Sequence, residues 1–274
     1  MSDVRARLKD KKRIVVKIGS SSLMYAETGL LNIGKVEKLA RILADLRNAG
    51  NDVCLVSSGA ISTGKNSLGL KTDNHSLSFK QACAAIGQAK LIAHYQRFFA
   101  EYSINTAQVL LTEIILEDEE SRINALNTFN ELFKLGAVPV VNENDSISTE
   151  EIKHVHTFGD NDRLSAIVAK LIKADLLIIL SDIDGMYTDD PRNNPSAELM
   201  YEINGFSDEL ESMAKGTKEG GVGTGGMETK LAAAKIATGE GIDVVVLNGN
   251  NPYNIRRLME GERIGTLFVS RDCE

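Results

Sequence analysis

Ile14-Val15-Val16-Lys17-Ile18-Gly19-Ser20 is the stretch from which the architecture of this chain follows. Its first five residues form a short apolar, β-branched run, which is typical of a strand buried on both faces in a parallel sheet. A small turn with a hydroxyl group comes next, and ligands bind beyond the carboxyl ends of such strands. Lys17 stands near this end, although a lysine beside a strand is more often an edge residue whose stem covers apolar surface.

The same kind of apolar run recurs along the chain, and we predict that each run is a further strand buried on both faces. The runs occupy residues 53–57, 106–111, 138–141, 176–180 and 244–247. Apolar stripes at helical spacing lie between them, at residues 33–46, 79–99 and 123–133. Pro139 is an objection to one of these strands, because proline cannot donate to a ladder. Strands that alternate with helices predict an α/β protein, a three-layer αβα sandwich around a mainly parallel central sheet.

Bulk composition excludes several classes of protein. A net charge of −7 argues against a nucleic-acid binder, which usually presents a basic surface. There is no apolar run of membrane-spanning length, and the charged first 13 residues lack the apolar core of a secretory signal. Three scattered cysteines give no disulfide framework and suggest a reducing compartment. We therefore expect a cytoplasmic protein with no nucleic-acid or membrane partner.

Two polar intervals, residues 187–198 and 204–226, both fall in the C-terminal third of the chain. They suggest a second lobe that carries irregular loops around a ligand. We therefore predict an N-terminal lobe of residues 1–173 and a C-terminal lobe of residues 174–274.

Residues 221–230, Gly-Val-Gly-Thr-Gly-Gly-Met-Glu-Thr-Lys, form a glycine-rich turn at the start of a helical pattern. Glycine lets the backbone approach a ligand closely, and a helix N-terminus attracts phosphate. Gly221, Gly223 and Gly226 also satisfy the dinucleotide pattern G-x-G-x-x-G. That pattern requires a preceding strand, whereas the preceding residues are polar and rich in lysine. A solvated turn remains the simplest interpretation of this loop when it is taken alone.

A second motif, Gly59-Ala60-Ile61-Ser62-Thr63-Gly64-Lys65, spells G-x4-G-K after an apolar run. A P-loop needs a serine or threonine next, because its hydroxyl binds Mg²⁺. Asn66 stands at that position. We therefore weigh against a P-loop here as well.

Polar residues collect where the predicted strands end, at residues 57–60, 142–145, 159–162 and 181–185. Each cluster alone is most simply a turn or a helix cap. Asp182 and Asp184 begin a calcium-loop pattern that later residues do not complete, and His154 and His156 have no further ligand nearby. We predict no metal site built by the protein itself.

Taken in order, these segments resemble the amino acid kinase family across essentially the whole chain. The resemblance is carried by residues 15–20, 57–61, 140–145, 159–162, 185–191, 223–230 and 265–268. The family uses neither a P-loop nor a dinucleotide site. The resemblance implies phosphoryl transfer from ATP, with Mg²⁺, to a carboxylate, here the side chain of L-glutamate, in the first step of proline biosynthesis.

The resemblance also implies roles for individual residues. Lys17 and Lys230 would flank the transferred phosphoryl group from the two lobes, and Asp162 would hold them in place. ATP contacts are implied for Lys17, Ser181, Asp182, Thr224, Gly225, Gly226, Met227, Glu228, Thr229 and Lys230. Glutamate contacts are implied for Ser58, Asp145 and Asn161. A carboxylate at Asp145 would pair with the α-ammonium of a free amino acid, a charge that N-acetylglutamate lacks.

A homo-oligomer (dimer or tetramer) and feedback inhibition by proline are further implications, although no residue marks a proline site. The segment at residues 153–158 looks longer than the usual connection of the family, and the chain leaves no room for a C-terminal PUA domain. One alternative is another family activity, that of N-acetylglutamate kinase, aspartokinase or uridylate kinase. The other is a non-catalytic amino acid sensor, against which the presence of both lysines and Asp162 speaks.

Overall fold

A computed structural model describes residues 3–69, 76–112, 118–147, 161–215 and 226–270 of the chain. One sheet of eight strands runs through it in the order β3-β4-β2-β1-β5-β7-β8-β6. The strands are β1 Arg13–Ile18, β2 Asp52–Ser57, β3 Thr106–Leu111, β4 Val138–Glu143, β5 Leu176–Ser181, β6 Glu202–Ile203, β7 Asp243–Asn248 and β8 Thr266–Phe268. Neighbouring strands pair in parallel, except that β7 and β8 are antiparallel.

Helices alternate with these strands along the chain. They are α1 Asp3–Ala6, α2 Ser20–Leu23, α3 Ile33–Asn48, α4 Ala60–Ser67, α5 Leu77–Ala100, α6 Glu119–Lys134, α7 Asn161–Leu171, α8 Asp208–Lys215, α9 Met227–Thr238 and α10 Asn254–Met259. A 3₁₀ helix, Arg7–Asp10, follows α1. None of the described helices is both long and apolar enough to cross a membrane.

The central strand β1 shows how the layers form. Ile14, Val16 and Ile18 belong to one buried cluster together with residues of α3, α5 and α10. Val15, which points to the opposite face, belongs to a second cluster with residues of α6, α7 and α9. Helices therefore cover both faces of the sheet, and the predicted αβα sandwich is confirmed.

Two details of the sequence prediction are wrong. Strand β3 is only partly buried, because it is an edge strand with a single neighbour. In the first half of α5 the predicted apolar stripe faces away from the core, since Ala82, Ala85, Ile86 and Ala89 are exposed, whereas Ile92 and Phe99 of the same stripe are buried. This helix is apolar nearly all round, so its periodicity predicts the helix but not its buried face.

Pro139 is accommodated inside the sheet in spite of its missing donor. It pairs with Ala107 of the edge strand β3, whereas the pairing of β4 with β2 begins only at Val140. Proline thus lies ahead of the positions that join β4 to the interior of the sheet.

Helices α4 and α5 approach each other backbone to backbone. A Cβ atom added at Gly64 would lie 1.9 Å from the carbonyl oxygen of Cys83, and one added at Gly87 would lie 1.8 Å from that of Ala60. Gly59, with φ of 104°, turns the chain from β2 into α4. Gly64 and Lys65 therefore lie within a packed helix, where Gly64 serves the contact with α5, and this agrees with the interpretation that the motif is not a P-loop.

Candidate active site

The carboxyl ends of the central parallel strands gather the candidate residues. Lys17 is the penultimate residue of β1, Ser58 follows β2, Asn142 lies near the end of β4, and Ser181 ends β5. Since β4, β2, β1 and β5 are consecutive in the sheet and parallel, their ends lie along one edge. The N-termini of α7 and α9 bring further side chains to this edge.

Three charged side chains form what we call the charged cluster: Lys17, Asp162 and Lys230. The two ammonium groups contact different oxygens of one carboxylate, Lys17 at Oδ1 and Lys230 at Oδ2, the latter at 3.2 Å. The residues are 4%, 0% and 6% exposed for Lys17, Asp162 and Lys230. The lysine expected from each half of the chain therefore lies beside the other, with Asp162 between them.

The electrostatic balance of this cluster favours an anionic ligand. Burial raises the pKa of Asp162, but the Lys17 and Lys230 ammonium groups and hydrogen bonds from Lys17 and Thr229 outweigh it, so the pKa lies below its usual value. Thr229 donates its hydroxyl to Oδ2 of Asp162 at 2.9 Å. The two ammonium groups, held in place by one carboxylate, lie where a further anionic group would be attracted to them.

Helix α9 adds a second attraction for anions. It begins at Met227, and Gly226 before it is extended and provides no side-chain cap for the first turn. Uncapped N–H groups at a helix start carry partial positive charge and bind phosphate readily. Lys230 lies one turn into this helix, so the helix start and the charged cluster face the same region.

A second set of side chains, which we call the amide chain, lies beside the charged cluster and is uncharged. Asn142 Nδ2 donates to Gln88 Oε1 at 2.9 Å. Asn161 Nδ2 donates to Asn142 Oδ1 at 2.9 Å and to Ser58 Oγ at 2.6 Å. The amide chain thus joins α5, β4 and α7 through two buried hydrogen bonds, which are costly to leave unmade, and reaches the exit of β2 through a partly buried one.

Asp145 is a half-buried carboxyl in the turn after β4. Burial raises the pKa of Asp145 to about 6. A carboxylate in such a setting gains from a cationic partner, because the partner offsets the cost of desolvating the charge.

The residues expected at the nucleotide end occupy the exits of β5 and the start of α9. Ser181 is buried and donates to the exposed Asp182 at 3.2 Å. Met227 is buried and Glu228 half-buried in the first turn of α9. Thr224 and Gly225, like the longer segment at residues 153–158, lie outside the described residues.

The described residues that precede the glycine turn bear on its dinucleotide interpretation. Residues Asp208–Lys215 form a helix rather than the strand that precedes a dinucleotide-binding turn. Residues 216–225 lie outside the described residues.

Two members of the amide chain, Gln88 and Asn142, were not assigned a role from the sequence. Asn142 belonged to a polar cluster that resembled a turn. Gln88 had one local signal: it is a polar residue spaced three to four positions from the buried Ala84 and Leu91 on an apolar helix. Such a residue must find a hydrogen-bond partner inside the protein.

Comparison with protein families and curated sequences gives one consistent result. The model of the amino acid kinase family matches residues 12–248. A protein named glutamate 5-kinase from Clostridium perfringens is 49% identical, with 99% of this chain and 100% of that protein covered. A glutamate 5-kinase from Listeria monocytogenes is 48% identical over 99% of this chain and 98% of its own length. One from Carboxydothermus hydrogenoformans is 50% identical, and the match covers 98% of this chain and 70% of that protein.

Solved structures are similar in fold at low sequence identity. The crystal structure of UMP kinase from Ureaplasma parvum has a TM-score of 0.64 at 17% identity, covering 94% of this chain and 99% of that one. An isopentenyl phosphate kinase has a TM-score of 0.61 at 18% identity, covering 94% of this chain and 100% of that one.

Proposed function

The chain belongs to the amino acid kinase family, and we propose that it transfers the γ-phosphoryl group of ATP to the side-chain carboxylate of L-glutamate. The product is L-glutamyl 5-phosphate, and the step is the first of proline biosynthesis. The observation that carries the choice of substrate is the near-complete match, at about half identity, to proteins named glutamate 5-kinase. The fold alone does not select it, since the similar solved structures include a UMP kinase and an isopentenyl phosphate kinase.

The chemistry asks little of the protein beyond alignment and charge stabilisation. An oxygen of the glutamate side-chain carboxylate attacks the γ-phosphorus, and the bond to the β–γ bridging oxygen breaks as ADP leaves. The carboxylate is already an anionic nucleophile, so no general base is required. Catalysis then rests on positioning and on stabilising the negative charge of the transferred group.

The charged cluster is suited to that second task. We propose that Lys17 and Lys230 contact the transferred phosphoryl group, and that Asp162 keeps the two ammonium groups from repelling each other apart. The start of α9, from Gly226 to Thr229, would contact the ATP phosphates, with Ser181 and Asp182 nearby. Preorganised charges in a buried site stabilise a transition state more than they would in water.

The amide chain and Asp145 are suited to holding the amino acid. Ser58 and Asn161 present polar groups at the exit of β2 and the start of α7. Asp145, half-buried after β4, would pair with the α-ammonium of free glutamate.

Mg²⁺ is the expected partner of ATP, and its fit to the described residues is limited. Within the described ranges, no group of three or more His, Cys, Asp or Glu residues could hold a metal ion. Asp162, the buried carboxylate of the site, is already engaged by two lysines. Since Mg²⁺ is often held by one or two carboxylates together with substrate phosphates, we propose that it enters with ATP, where it would neutralise charge between the β- and γ-phosphates.

An assay of ADP release with a panel of acceptors tests the function directly. L-Glutamate, N-acetylglutamate, L-aspartate and UMP are each supplied with ATP and Mg²⁺, and hydroxylamine traps any acyl phosphate as the hydroxamate. We expect release with L-glutamate and trapping of glutamyl hydroxamate. Faster release with another acceptor would assign a different family activity. Binding of glutamate and ATP without any trapped product would indicate a sensor.

A cytoplasmic location, a dimer or tetramer, and inhibition by proline complete the proposal. Sedimentation with and without proline, together with the same assay, checks the last two. Insensitivity to proline at saturating concentration would remove feedback from the proposal without affecting the reaction.

A further inference from the structure

We propose that Gln88 is a positioning residue for the amino acid substrate and acts through Asn142 and Asn161 on the Ser58 hydroxyl. This role rests on the proposed function, because Ser58 and Asn161 are taken to contact the amino acid. Gln88 itself lies two hydrogen bonds from Asn161 and three from Ser58, on a helix that no sequence motif connects with the site.

The first support is the cost of burying Gln88. Its side chain is 8% exposed on the buried face of α5, in line with the apolar residues Ala84 and Leu91. An apolar side chain there would avoid the desolvation of an amide. Its hydrogen bond to Asn142 is the contact that offsets this desolvation.

The second support is the direction of the hydrogen bonds. A side-chain amide donates only from nitrogen and accepts only at oxygen. Because Gln88 Oε1 accepts from Asn142 Nδ2, the other end of Asn142, Oδ1, is turned toward Asn161. Asn161 Nδ2 then uses its two hydrogens on Asn142 and Ser58.

This direction determines what the site offers to a ligand. Ser58 Oγ accepts from Asn161, so its own hydrogen is left to be donated, and Asn161 Oδ1 is left to accept. Within the described residues, neither the Ser58 hydroxyl hydrogen nor Asn161 Oδ1 has another hydrogen-bond partner. A donor beside an acceptor complements the carboxylate oxygen and the ammonium hydrogen of an amino acid.

Reversing the direction of the hydrogen bonds in the amide chain would exchange the donor and the acceptor that the site offers to a ligand. If Gln88 presented its nitrogen to Asn142, then Asn142 Nδ2 and the Ser58 hydroxyl would both donate to Asn161 Oδ1. Asn161 would face the ligand with a donor, and Ser58 with an acceptor only. The orientation of the Gln88 amide therefore distinguishes two opposite hydrogen-bonding surfaces.

Packing holds Gln88 at the distance this requires. The adjacent Gly87 lies against the carbonyl oxygen of Ala60, and Gly64 lies against that of Cys83. Ala60 comes directly after the Ser58–Gly59 turn. The close contact of α4 and α5 thus brings Gln88 near the exit of β2, which a Cβ at either glycine would prevent.

The test compares three variants in the full-length enzyme by steady-state kinetics. Gln88→Met removes the acceptor at similar volume, and we expect the KM for L-glutamate to rise about ten-fold while the KM for ATP stays within about two-fold. Gln88→Glu keeps an acceptor that cannot donate when ionised, so at pH 8 it should restore the glutamate KM to within about three-fold of wild type. Gln96→Met makes the same chemical change at an exposed position of α5 and should alter nothing.

Each outcome bears on the proposal. An unchanged KM for L-glutamate in Gln88→Met overturns the role of Gln88. An equal rise of this KM in Gln88→Met and Gln88→Glu overturns the inferred direction of the hydrogen bonds in the amide chain. Should Gln88→Met fail to fold, Gln88→Ala takes its place, because alanine suits a helix and adds no bulk. Wild-type enzyme without glutamate-dependent ADP release would instead refute the proposed function.

Discussion

Asn161 and Asp162 are consecutive in the sequence, yet they belong to two parts of the site that are built on different physical terms. Asp162 holds two ammonium groups in a buried, charged cluster. Asn161 joins a chain of neutral amides whose members are fixed by the direction of their hydrogen bonds. The first turn of α7 therefore supplies a carboxylate to the charged cluster and an oriented amide to the amide chain.

The difference suggests how the two parts share the work. A buried charge interacts strongly with a group that gains charge in the transition state, so the charged cluster should govern kcat. Neutral hydrogen bonds are weaker and depend on geometry, so the amide chain should govern which amino acid binds and how tightly. Substitutions in the two parts should then differ both in size and in the kinetic constant that changes.

The largest effect is expected at the centre of the charged cluster. Asp162→Asn leaves two buried ammonium groups facing a neutral amide, and the free energy of unfolding should fall by about 3–5 kcal/mol. Urea denaturation measures this change. The control Asp45→Asn breaks an exposed contact with Arg256 at 3.8 Å and should cost less than about 1 kcal/mol. A similar loss of unfolding free energy in both variants would contradict the stabilisation of the two buried ammonium groups by the Asp162 carboxylate.

Removal of either lysine should come next in size. Lys17→Ala and Lys230→Ala should each lower kcat about 10²–10³-fold, with modest changes in both KM values, because a transition-state contact is lost. If the two lysines act on the same phosphoryl group, the double variant should lose less than the product of the single losses. Near-normal turnover in either single variant would refute the assigned role.

The contribution of Asp145 to glutamate binding can be examined through the pH dependence of kcat/KM. With the pKa of Asp145 at about 6, kcat/KM for glutamate should fall as pH drops through 6, since the protonated carboxyl no longer attracts the α-ammonium. Asp145→Asn should raise the glutamate KM about ten-fold or more and abolish this limb, with little change in the KM for ATP. A pH profile that is identical in wild type and variant would contradict the pairing.

Ionisation of Asp145 should favour glutamate binding but lower the stability of the fold. The pKa of Asp145 is raised in the folded state above 3.8, so its ionisation destabilises the fold increasingly as pH rises from about 4 to about 6, and fully above that. Asp145→Asn should therefore raise the melting temperature at pH 7–8 in the absence of glutamate, and the gain should vanish near pH 4. A melting temperature lowered at pH 8 would show that the carboxylate stabilises the protein instead.

The smallest effect is expected at Lys65, the lysine of the G-x4-G-K motif. Lys65 lies within α4, whose glycine packs against α5. Lys65→Ala should leave kcat and the KM for ATP within about two-fold, measured beside Lys230→Ala in the same assay. A large loss of ATP affinity would reopen the P-loop interpretation.

Periodicity in the sequence predicted the sheet and most helices, because β-branched runs and helical stripes are local signals. It could not predict that β3 is an edge strand, since strand order depends on pairing between distant segments. The strands β6 and β8 were missed because two or three residues carry too little pattern. The exposed face of α5 was misassigned because alanines fit either side of a helix.

The proximity of the charged residues in the candidate site was predictable from the sequence, whereas the amide chain was only partly so. Lys17, Asp162 and Lys230 lie in segments whose order along the chain resembles a known family. Gln88 lies in a helix with no such segment, and its role depends on the contact between Gly64 and Gly87. That contact is made by backbone atoms more than 20 residues apart, which a single sequence does not reveal.

The position of β1 between β2 and β5 has a consequence for how the protein is made. The Asp175 carboxylate accepts hydrogen bonds from the backbone N–H groups of Lys12 and Arg13, the latter 162 positions away. During synthesis, β1 can pair with β2 early but must wait for β5 until nearly two thirds of the chain has been produced. Such distant pairing slows folding, since loop closure precedes the contacts that reward it. Lys17 is therefore among the first residues to be synthesised, but its surroundings are complete only after the C-terminal part of the sheet has formed.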